Sequence, residues 1–143
     1  MSYTEDRVFV DTNILLYLYS KDEPYNKLIA SELILHSTAE IVVSTQVIGE
    51  FISILIKKFG YEIQIIKLAL EDFRRDFYIS LIDMEHIEKA LLIKERYLYS
   101  YWDSLIIAVA LKKNCSILYS EDLQDNQLIE DTLRIINPFK KGS

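Results

Sequence analysis

Short apolar runs alternate along the chain with longer segments that have helical length or spacing. The short runs cover residues 7–10, 41–43, 78–82, 116–119 and 133–136. They are too short for most helices and rich in β-branched residues, which predicts strands. The longer segments, predicted to be helices, cover residues 14–19, 24–37, 45–59, 62–75, 84–97 and 102–113. Because strands separated by helices pair in parallel, we expect an α/β fold, with helices on both faces of a mostly parallel sheet of four to five short strands.

Residue types that favour helix ends occur where the apolar pattern changes. Thr12 is a candidate N-cap of the first helix, and Pro24 suits the first turn of the second. Either Ser44 or Thr45 can cap the third helix, and Gly60 is suited to end it. These signals agree with the boundaries that the spacing of apolar residues predicts.

The composition bounds the domain count and the assembly. A chain of 143 residues fits one domain, which we place at residues 1–141, with Gly142 and Ser143 as a candidate cloning remnant. Half of the residues are hydrophobic and 12% are aromatic, which is a high share for so small a domain. Some apolar surface should therefore remain for another subunit, and we expect a homodimer.

Cysteine usage and hydropathy favour the cytoplasm. Cys115 is the only cysteine, so an intramolecular disulfide is excluded and a reducing compartment fits. The N-terminal run has no basic leader with a cleavage site, and no stretch approaches the ~18 apolar residues of a membrane span. The net charge of −6 argues against a nonspecific nucleic-acid binder, because affinity for phosphates comes largely from Lys and Arg.

Two aspartates follow predicted strands. Asp11 comes directly after the first strand, at the edge where open α/β sheets bind their ligands. An acid at this position also suits the start of a helix. Asp122 follows the strand at residues 116–119, in a polar stretch that also suits a turn. Its neighbours Glu121 and Asp125 leave open which of the three acids has the chemical role.

Two further acids lie on predicted helices. Glu50 is the only charged residue of an otherwise largely apolar helix, where a carboxylate needs a partner or a solvated pocket. The alternative is a narrow solvent-facing stripe shared with Gln46 and Ser53. Asp103 begins another helix, and its spacing from Ser100 matches a capping box, so capping and chemistry are both open there.

The four acids can meet at one rim of the sheet. If the first strand and the strand at residues 116–119 are neighbours, Asp11 and Asp122 face each other, and the helices can bring Glu50 and Asp103 toward them. Like carboxylates raise one another's pKa, so such a cluster needs a counter-charge. Mg²⁺ or Mn²⁺ would supply it with hard oxygen ligands, whereas one Cys and two distant His disfavour zinc. Metal-assisted hydrolysis of a phosphodiester follows as the expected reaction.

Four motifs carry a family resemblance. They are Val8-Phe9-Val10-Asp11-Thr12-Asn13, Gly49-Glu50-Phe51, Tyr101-Trp102-Asp103-Ser104 and Leu118-Tyr119-Ser120-Glu121-Asp122-Leu123. In order and approximate spacing they resemble the motifs of PIN-domain ribonucleases, and most closely the toxins of VapBC toxin–antitoxin pairs. The resemblance implies a three-layer α/β/α sandwich, endonucleolytic cleavage of RNA with Mg²⁺ or Mn²⁺, homodimerisation and inhibition by a cognate antitoxin.

The resemblance also implies roles for individual residues. The implied catalytic and metal-binding residues are Asp11, Glu50, Asp103 and Asp122. Thr12, Asn13 and Ser120 are the implied orienting neighbours, and Asp125 is a candidate accessory ligand. Gly49 departs from the polar residue that often precedes the glutamate in this family.

Pairs of basic residues could contact phosphates, which weakens the argument against nucleic-acid binding from the net charge of −6. They lie at residues 57–58, 74–75, 112–113 and 140–141. Basic residues at helix C-termini also complement the macrodipole, which is the favoured interpretation for the first and third pairs.

Some residue types that often serve catalysis or binding in other proteins are interpreted as structural in this chain. Both His residues lack an acid or Ser at a suggestive spacing, and Cys115 lacks a catalytic signature. The aromatic residues Tyr97, Tyr99, Tyr101 and Trp102 could stack on bases, but packing at a helix corner is favoured.

Two competing functions remain open. A receiver-like signalling module also places aspartates and Mg²⁺ at strand ends, which explains Asp11 but neither Glu50 nor Asp103. A catalytically silent interaction domain of the same fold is the other alternative, because a fold does not fix a function.

Overall fold

The computed structural model describes residues 6–140 of the chain. Gly142 and Ser143, interpreted above as a candidate cloning remnant, lie outside the described residues. In chain order the elements are β1 (Arg7–Val10), α1 (Thr12–Tyr17), α2 (Pro24–Leu35), β2 (Glu40–Ser44), α3 (Thr45–Lys57), α4 (Ile63–Asp76), β3 (Tyr78–Ser80), α5 (Met84–Tyr97), α6 (Tyr101–Lys112), β4 (Ile117–Tyr119), β5 (Leu128–Ile129) and β6 (Leu133–Ile136).

The strands of residues 6–140 form one six-stranded sheet in the order β3-β2-β1-β4-β6-β5. All neighbouring strands are parallel except β5 and β6, which form an antiparallel hairpin. The central strand β1 pairs with β2 on one side and with β4 on the other. The prediction of a mostly parallel α/β sheet is confirmed, as is the adjacency of β1 and β4.

The core lies between the sheet and its helices. Central strand residues such as Phe9 and Leu118 are fully buried, and so are Phe51 of α3 and Ile107 of α6. Residues 104–110 of α6 are all buried, as expected for a helix that is apolar around its circumference. Within residues 6–140, no helix has both the length and the hydropathy that crossing a bilayer requires.

The sheet has more strands than the four to five predicted. The additional strand is β5, whose two residues pair with β6 across a tight turn at residues 130–132. Glu130 and Asp131 adopt positive φ values of 49° and 62° there. Because left-handed turns are usually signalled by Gly or Asn, this hairpin had no recognisable sequence signal.

The predicted helix ends are mostly within two residues of the observed ones. Ser44 caps α3, since its side chain accepts a hydrogen bond from Val47 N, and Gly60 follows with a φ of 70°. The assignment of Thr12 as the cap of α1 was wrong, because Asp11 is the N-cap and Thr12 is the first helical residue. This difference changes the interpretation of both side chains at the site.

Candidate active site

The site lies at the carboxyl ends of the central strands. β1 ends at Val10 and β4 ends at Tyr119, and the N–H of Asp11 donates to the Tyr119 carbonyl at 3.0 Å. Asp11 and Ser120, each the first residue after its strand, are thereby held side by side. This edge is where parallel α/β sheets form their ligand sites.

Asp11 is buried and uses both carboxylate oxygens. Its Oδ1 accepts a hydrogen bond from Thr12 N at 2.7 Å, and its Oδ2 accepts one from Ser120 Oγ at 2.8 Å. Its pKa is raised to about 6, chiefly by burial and further by Glu50 and Asp122, while the two hydrogen bonds oppose the rise. Asp11 is therefore both a helix cap and a destabilised carboxylate, so the two interpretations left open for it are compatible.

Glu50 reaches the same site from α3. Its Oε1 accepts a hydrogen bond from Thr12 Oγ1 at 2.6 Å, and its Oε2 accepts one from Gln46 Nε2 at 3.4 Å. The side chain is half-buried. Thr12 thus joins the acid that follows β1 to the acid of α3, because its backbone N–H donates to Asp11 and its hydroxyl donates to Glu50.

Gln46 has a contact that the sequence interpretation missed. Besides Glu50, its Nε2 donates to the carbonyl of Trp102 at 3.1 Å, which connects α3 to the first turn of α6. Its Oε1 is buried and accepts no hydrogen bond from any residue between 6 and 140. The available signal was its spacing of four residues from Glu50, which had been assigned only to a solvent-facing stripe.

Asp103 lies in the first turn of α6. Ser100 Oγ caps this helix by accepting from Asp103 N at 3.1 Å, so the predicted capping relation is present. The pKa of the Asp103 carboxyl is raised, first by burial and then by Asp122 and Glu50, against a lowering hydrogen bond from Ser100. Asp103 is therefore also within the electrostatic reach of the other acids.

The three acids of the loop after β4 have different hydrogen-bond partners. Asp122 is exposed and its Oδ2 accepts a hydrogen bond from Asn13 Nδ2 at 3.1 Å. Glu121 instead accepts from the Tyr17 hydroxyl at 2.7 Å. The structure therefore joins Asp122, through Asn13, to the segment that carries Asp11.

Asp125 is directed to the C-terminal segment. Its carboxylate accepts a hydrogen bond from Asn137 N at 2.8 Å and pairs with Lys140 at 3.4 Å, and these contacts lower its pKa. The role of accessory metal ligand, which the resemblance implies for Asp125, would require it to leave these partners.

The four acids share one electrostatic environment without a cation. Within the described part of the chain, none of Asp11, Glu50, Asp103 and Asp122 forms an ion pair with Lys, Arg or His. The donors on three of them are the uncharged groups of Thr12, Asn13, Gln46 and Ser120. Hydrogen bonds orient carboxylates but do not cancel their charge, so the cluster still lacks a counter-ion.

The donor chemistry of the cluster fits a hard divalent cation. Carboxylate oxygens are the ligands that Mg²⁺ and Mn²⁺ favour, and the Oδ1 atom of Asn13 is a further buried oxygen without a partner among the described residues. Across residues 6–140, no three Asp, Glu, His or Cys side chains already stand in a coordinating arrangement.

The side chains interpreted as structural are engaged in structural contacts. His86 is buried in the capping box of α5, exchanging hydrogen bonds with Asp83. Tyr97 OH accepts from Glu130 N at 3.0 Å. Burial raises the pKa of the Cys115 thiol to about 12, so this cysteine is unreactive at neutral pH.

Comparison with known families and structures agrees with this architecture. The PIN domain family model matches residues 8–126. No curated protein sequence matches the chain. VapC20 of Mycobacterium tuberculosis, described as a sarcin–ricin loop cleaving toxin, is 22% identical with a TM-score of 0.67, over 80% of this chain and 89% of that one.

Two solved complexes have a similar fold. A toxin–antitoxin complex from Klebsiella pneumoniae is 19% identical with a TM-score of 0.68, over 92% of this chain and 97% of that one. VapBC2 of Rickettsia felis, bound to a DNA fragment from its promoter, is 18% identical with a TM-score of 0.62, over 92% and 99%. At these identities the likeness shows the fold, which confirms the predicted PIN-like architecture.

Proposed function

The chain belongs to the PIN domain family, and from this premise we propose that it is a metal-dependent endoribonuclease, the toxin of a VapC-type toxin–antitoxin pair. The observation that carries the proposal is the group of four acids at one sheet edge, three of them held by uncharged donors and none paired with a cation among the described residues. All four acids lie within the segment that the family model matches. Phosphodiester hydrolysis is the reaction that such a site serves best.

The proposed metal ligands are Asp11, Glu50, Asp103 and Asp122. When bound, Mg²⁺ or Mn²⁺ lowers the pKa of a ligand water and stabilises charge on the phosphodiester. The chain's own contribution is to hold the carboxylates in place. Ser120 and Thr12 fix Asp11 and Glu50, and Asn13 fixes Asp122. At Asp11 the two hydrogen bonds oppose the rise in pKa that burial causes, which favours the ionised form that a cation binds.

The proposed partners are an RNA substrate and a cognate antitoxin in the cytoplasm. Two of the similar structures are toxin–antitoxin assemblies, and VapC20 is described as cleaving the sarcin–ricin loop. These descriptions apply to those proteins, and their shared fold supports extending the same partner classes to this chain.

A receiver-like module is less well supported. Its flavodoxin-type sheet has the strand order 2-1-3-4-5, whereas this sheet runs β3-β2-β1-β4-β6-β5. A catalytically silent domain would not need the unneutralised acids, because burial and their mutual repulsion raise the pKa values of Asp11 and Asp103 and so disfavour the ionised forms.

Cleavage of RNA in the presence and absence of metal tests the nuclease proposal. We expect cleavage with Mg²⁺ or Mn²⁺, none in excess EDTA, and a loss of at least about 100-fold in Asp103→Asn, since loss of a ligand should exceed the 10- to 100-fold effect of second-sphere changes. Circular dichroism should show that the variant remains folded. Full cleavage in EDTA or in Asp103→Asn would rule out this mechanism.

A homodimer is proposed from the apolar surface. Large side chains that remain exposed include Leu35, Leu91, Leu92 and Leu98, with exposed fractions of 78%, 55%, 59% and 84%. Burying such residues against a second copy would remove apolar area from water. Light scattering of the purified protein should give twice the chain mass, and a monomer mass at every accessible concentration would contradict it.

A further inference from the structure

A cleft lies beside the acidic cluster, between the end of α1 and the end of α3. Its volume is about 460 Å³, within the range of small-ligand sites. The residues that matter below are Asn13, Tyr19, Lys21, Lys58 and Tyr61, all of which line it. None of the roles assigned to the acids uses this cleft.

One wall of the cleft is aromatic and held in place by internal contacts. The Tyr61 hydroxyl donates to the carbonyl of Tyr19 at 2.6 Å, and the two rings meet edge to face with centroids 6.2 Å apart. Phe59 lies 6.2 Å from Tyr61 on the same wall. Half-buried rings fixed in this way present a preorganised surface on which a nucleobase can stack.

Two lysines provide cations at the cleft. The ammonium of Lys21 lies 5.0 Å from the centre of the Tyr61 ring, and Lys58 is exposed at the end of α3. Neither forms an ion pair with any residue between 6 and 140. Asp22 and Glu23 also line the cleft, so its formal charge is balanced and the lysines would act as individual phosphate contacts.

Asn13 connects the cleft to the acids. Its Nδ2 donates to Asp122 Oδ2 at 3.1 Å, while its buried Oδ1 has no hydrogen-bond donor among the described residues. One side chain thus contacts an acid of the cluster and also lines the cleft. A polynucleotide whose phosphate lies at the acids would have a neighbouring nucleotide at this cleft.

We propose that this cleft is a subsite for one nucleotide of single-stranded RNA, flanking the phosphate at the acidic cluster. The ammonium of Lys21 would leave the Tyr61 ring to contact an adjoining phosphate, and the base would stack on the ring face that it vacates. Lys58 would contact the other adjoining phosphate. The subsite presupposes the nuclease function proposed above and adds where that substrate is held. A peptide segment of a partner protein is the competing occupant.

Measuring RNA binding directly tests the subsite independently of catalysis. Fluorescence anisotropy with a labelled mixed-sequence single-stranded RNA, in Mg²⁺ and in an Asp103→Asn background, reports affinity without cleavage. We expect Lys58→Ala to weaken binding and to reduce the slope of log affinity against log salt by about 0.7, the value for one lost phosphate contact on a single strand. Lys67→Ala is the matched control, because it removes an exposed lysine of α4 outside the cleft lining.

The aromatic wall is tested by a pair of substitutions. Tyr61→Leu should weaken RNA binding by at least about five-fold, because stacking on the ring is lost. Tyr61→Phe keeps the ring and should bind RNA as tightly as the unsubstituted chain. Thermal unfolding shows whether either variant is folded, and the Lys58 arm is independent because that side chain is exposed.

The outcomes distinguish the two proposals. If Lys58→Ala matches Lys67→Ala in both affinity and salt slope while the wild-type chain cleaves RNA, the subsite is overturned and the nuclease function stands. The same result is expected if the cleft holds a partner's peptide. If the wild-type chain neither binds nor cleaves RNA, the nuclease function fails first and the subsite fails with it.

Discussion

The two ends of β1 differ in whether their charged side chains have partners of opposite charge. At its first residue, Arg7 pairs with Glu40, its register partner on β2, at 2.8 Å. Immediately after its last residue, Asp11 is buried beside other acids and receives hydrogen bonds only from the uncharged groups of Thr12 and Ser120. Four residues along one strand separate a neutralised pair from an unneutralised cluster.

This difference separates an end of the strand whose charges are paired within the fold from an end whose charges are not. Several acids elsewhere in the described chain have cationic partners, as Glu130 has in Lys89 at 2.9 Å and Glu85 has in Lys112 at 3.1 Å. At the carboxyl end, burial and mutual repulsion favour the neutral form of Asp11, so the ionised cluster reduces stability. An external cation would remove that cost, which is the role of the metal site proposed at the carboxyl end.

The largest effect is expected from Asp11→Asn, which removes the buried charge. Cleavage should fall by at least about 100-fold, because a proposed ligand is lost. Stability of the metal-free protein should instead rise at neutral pH. The pKa of Asp11 is about 6 in the folded state and 3.8 in the unfolded chain. The contribution of Asp11 to the free energy of unfolding is therefore fully present below pH 3.8. It falls by about 3 kcal/mol as the pH rises through 6.

Chemical denaturation at several pH values measures this effect. The stability gain of Asp11→Asn over wild type should be small near pH 4 and should grow to its full size above pH 6, and saturating Mn²⁺ should reduce it by stabilising the wild type. A gain that is the same at every pH would mean that the charge of Asp11 is not what destabilises this end of the strand.

An intermediate effect is expected from Ser120→Ala. The change removes the hydrogen bond to Asp11 Oδ2 and raises the pKa of that carboxyl further, since this bond lowers it. Mn²⁺ affinity by calorimetry should fall by about 10- to 100-fold at neutral pH and recover in part at higher pH. Ser116→Ala, at the opposite end of the same strand β4, removes only a 3.4 Å bond to the Arg7 carbonyl and should leave affinity unchanged. Equal losses in both variants would contradict the comparison.

The smallest effect is expected from breaking the neutralised pair. Both side chains of the Arg7–Glu40 pair are more than a third exposed, so Glu40→Gln should cost less than about 1 kcal/mol in denaturant unfolding. Cleavage should be unaffected. The contrast is Glu50→Gln on α3, which removes a proposed ligand and should lower cleavage by about as much as Asp11→Asn does. If Glu40→Gln impaired cleavage as much, the two ends would not differ in the way described.

Much of the fold was predictable because its signals are local. The predicted bounds of α5 and β6 match the observed Met84–Tyr97 and Leu133–Ile136, where apolar spacing and the Pro138 that follows act within a few residues. β5 was not predictable, because a two-residue strand has no period and its turn uses Glu130 and Asp131 in left-handed conformations.

For the candidate site, the sequence by itself determined which acids lie just after strands or at helix starts, since those positions follow from local pattern. Only the tertiary structure decided their partners. Thr12 meets Glu50 across 38 residues, and Ser120 meets Asp11 across 109. The same packing directs Asp125 toward Lys140 while joining Asp122 to Asn13. Local rules act within a helical turn or a strand, whereas these contacts depend on which strands are neighbours and on how side chains pack across them.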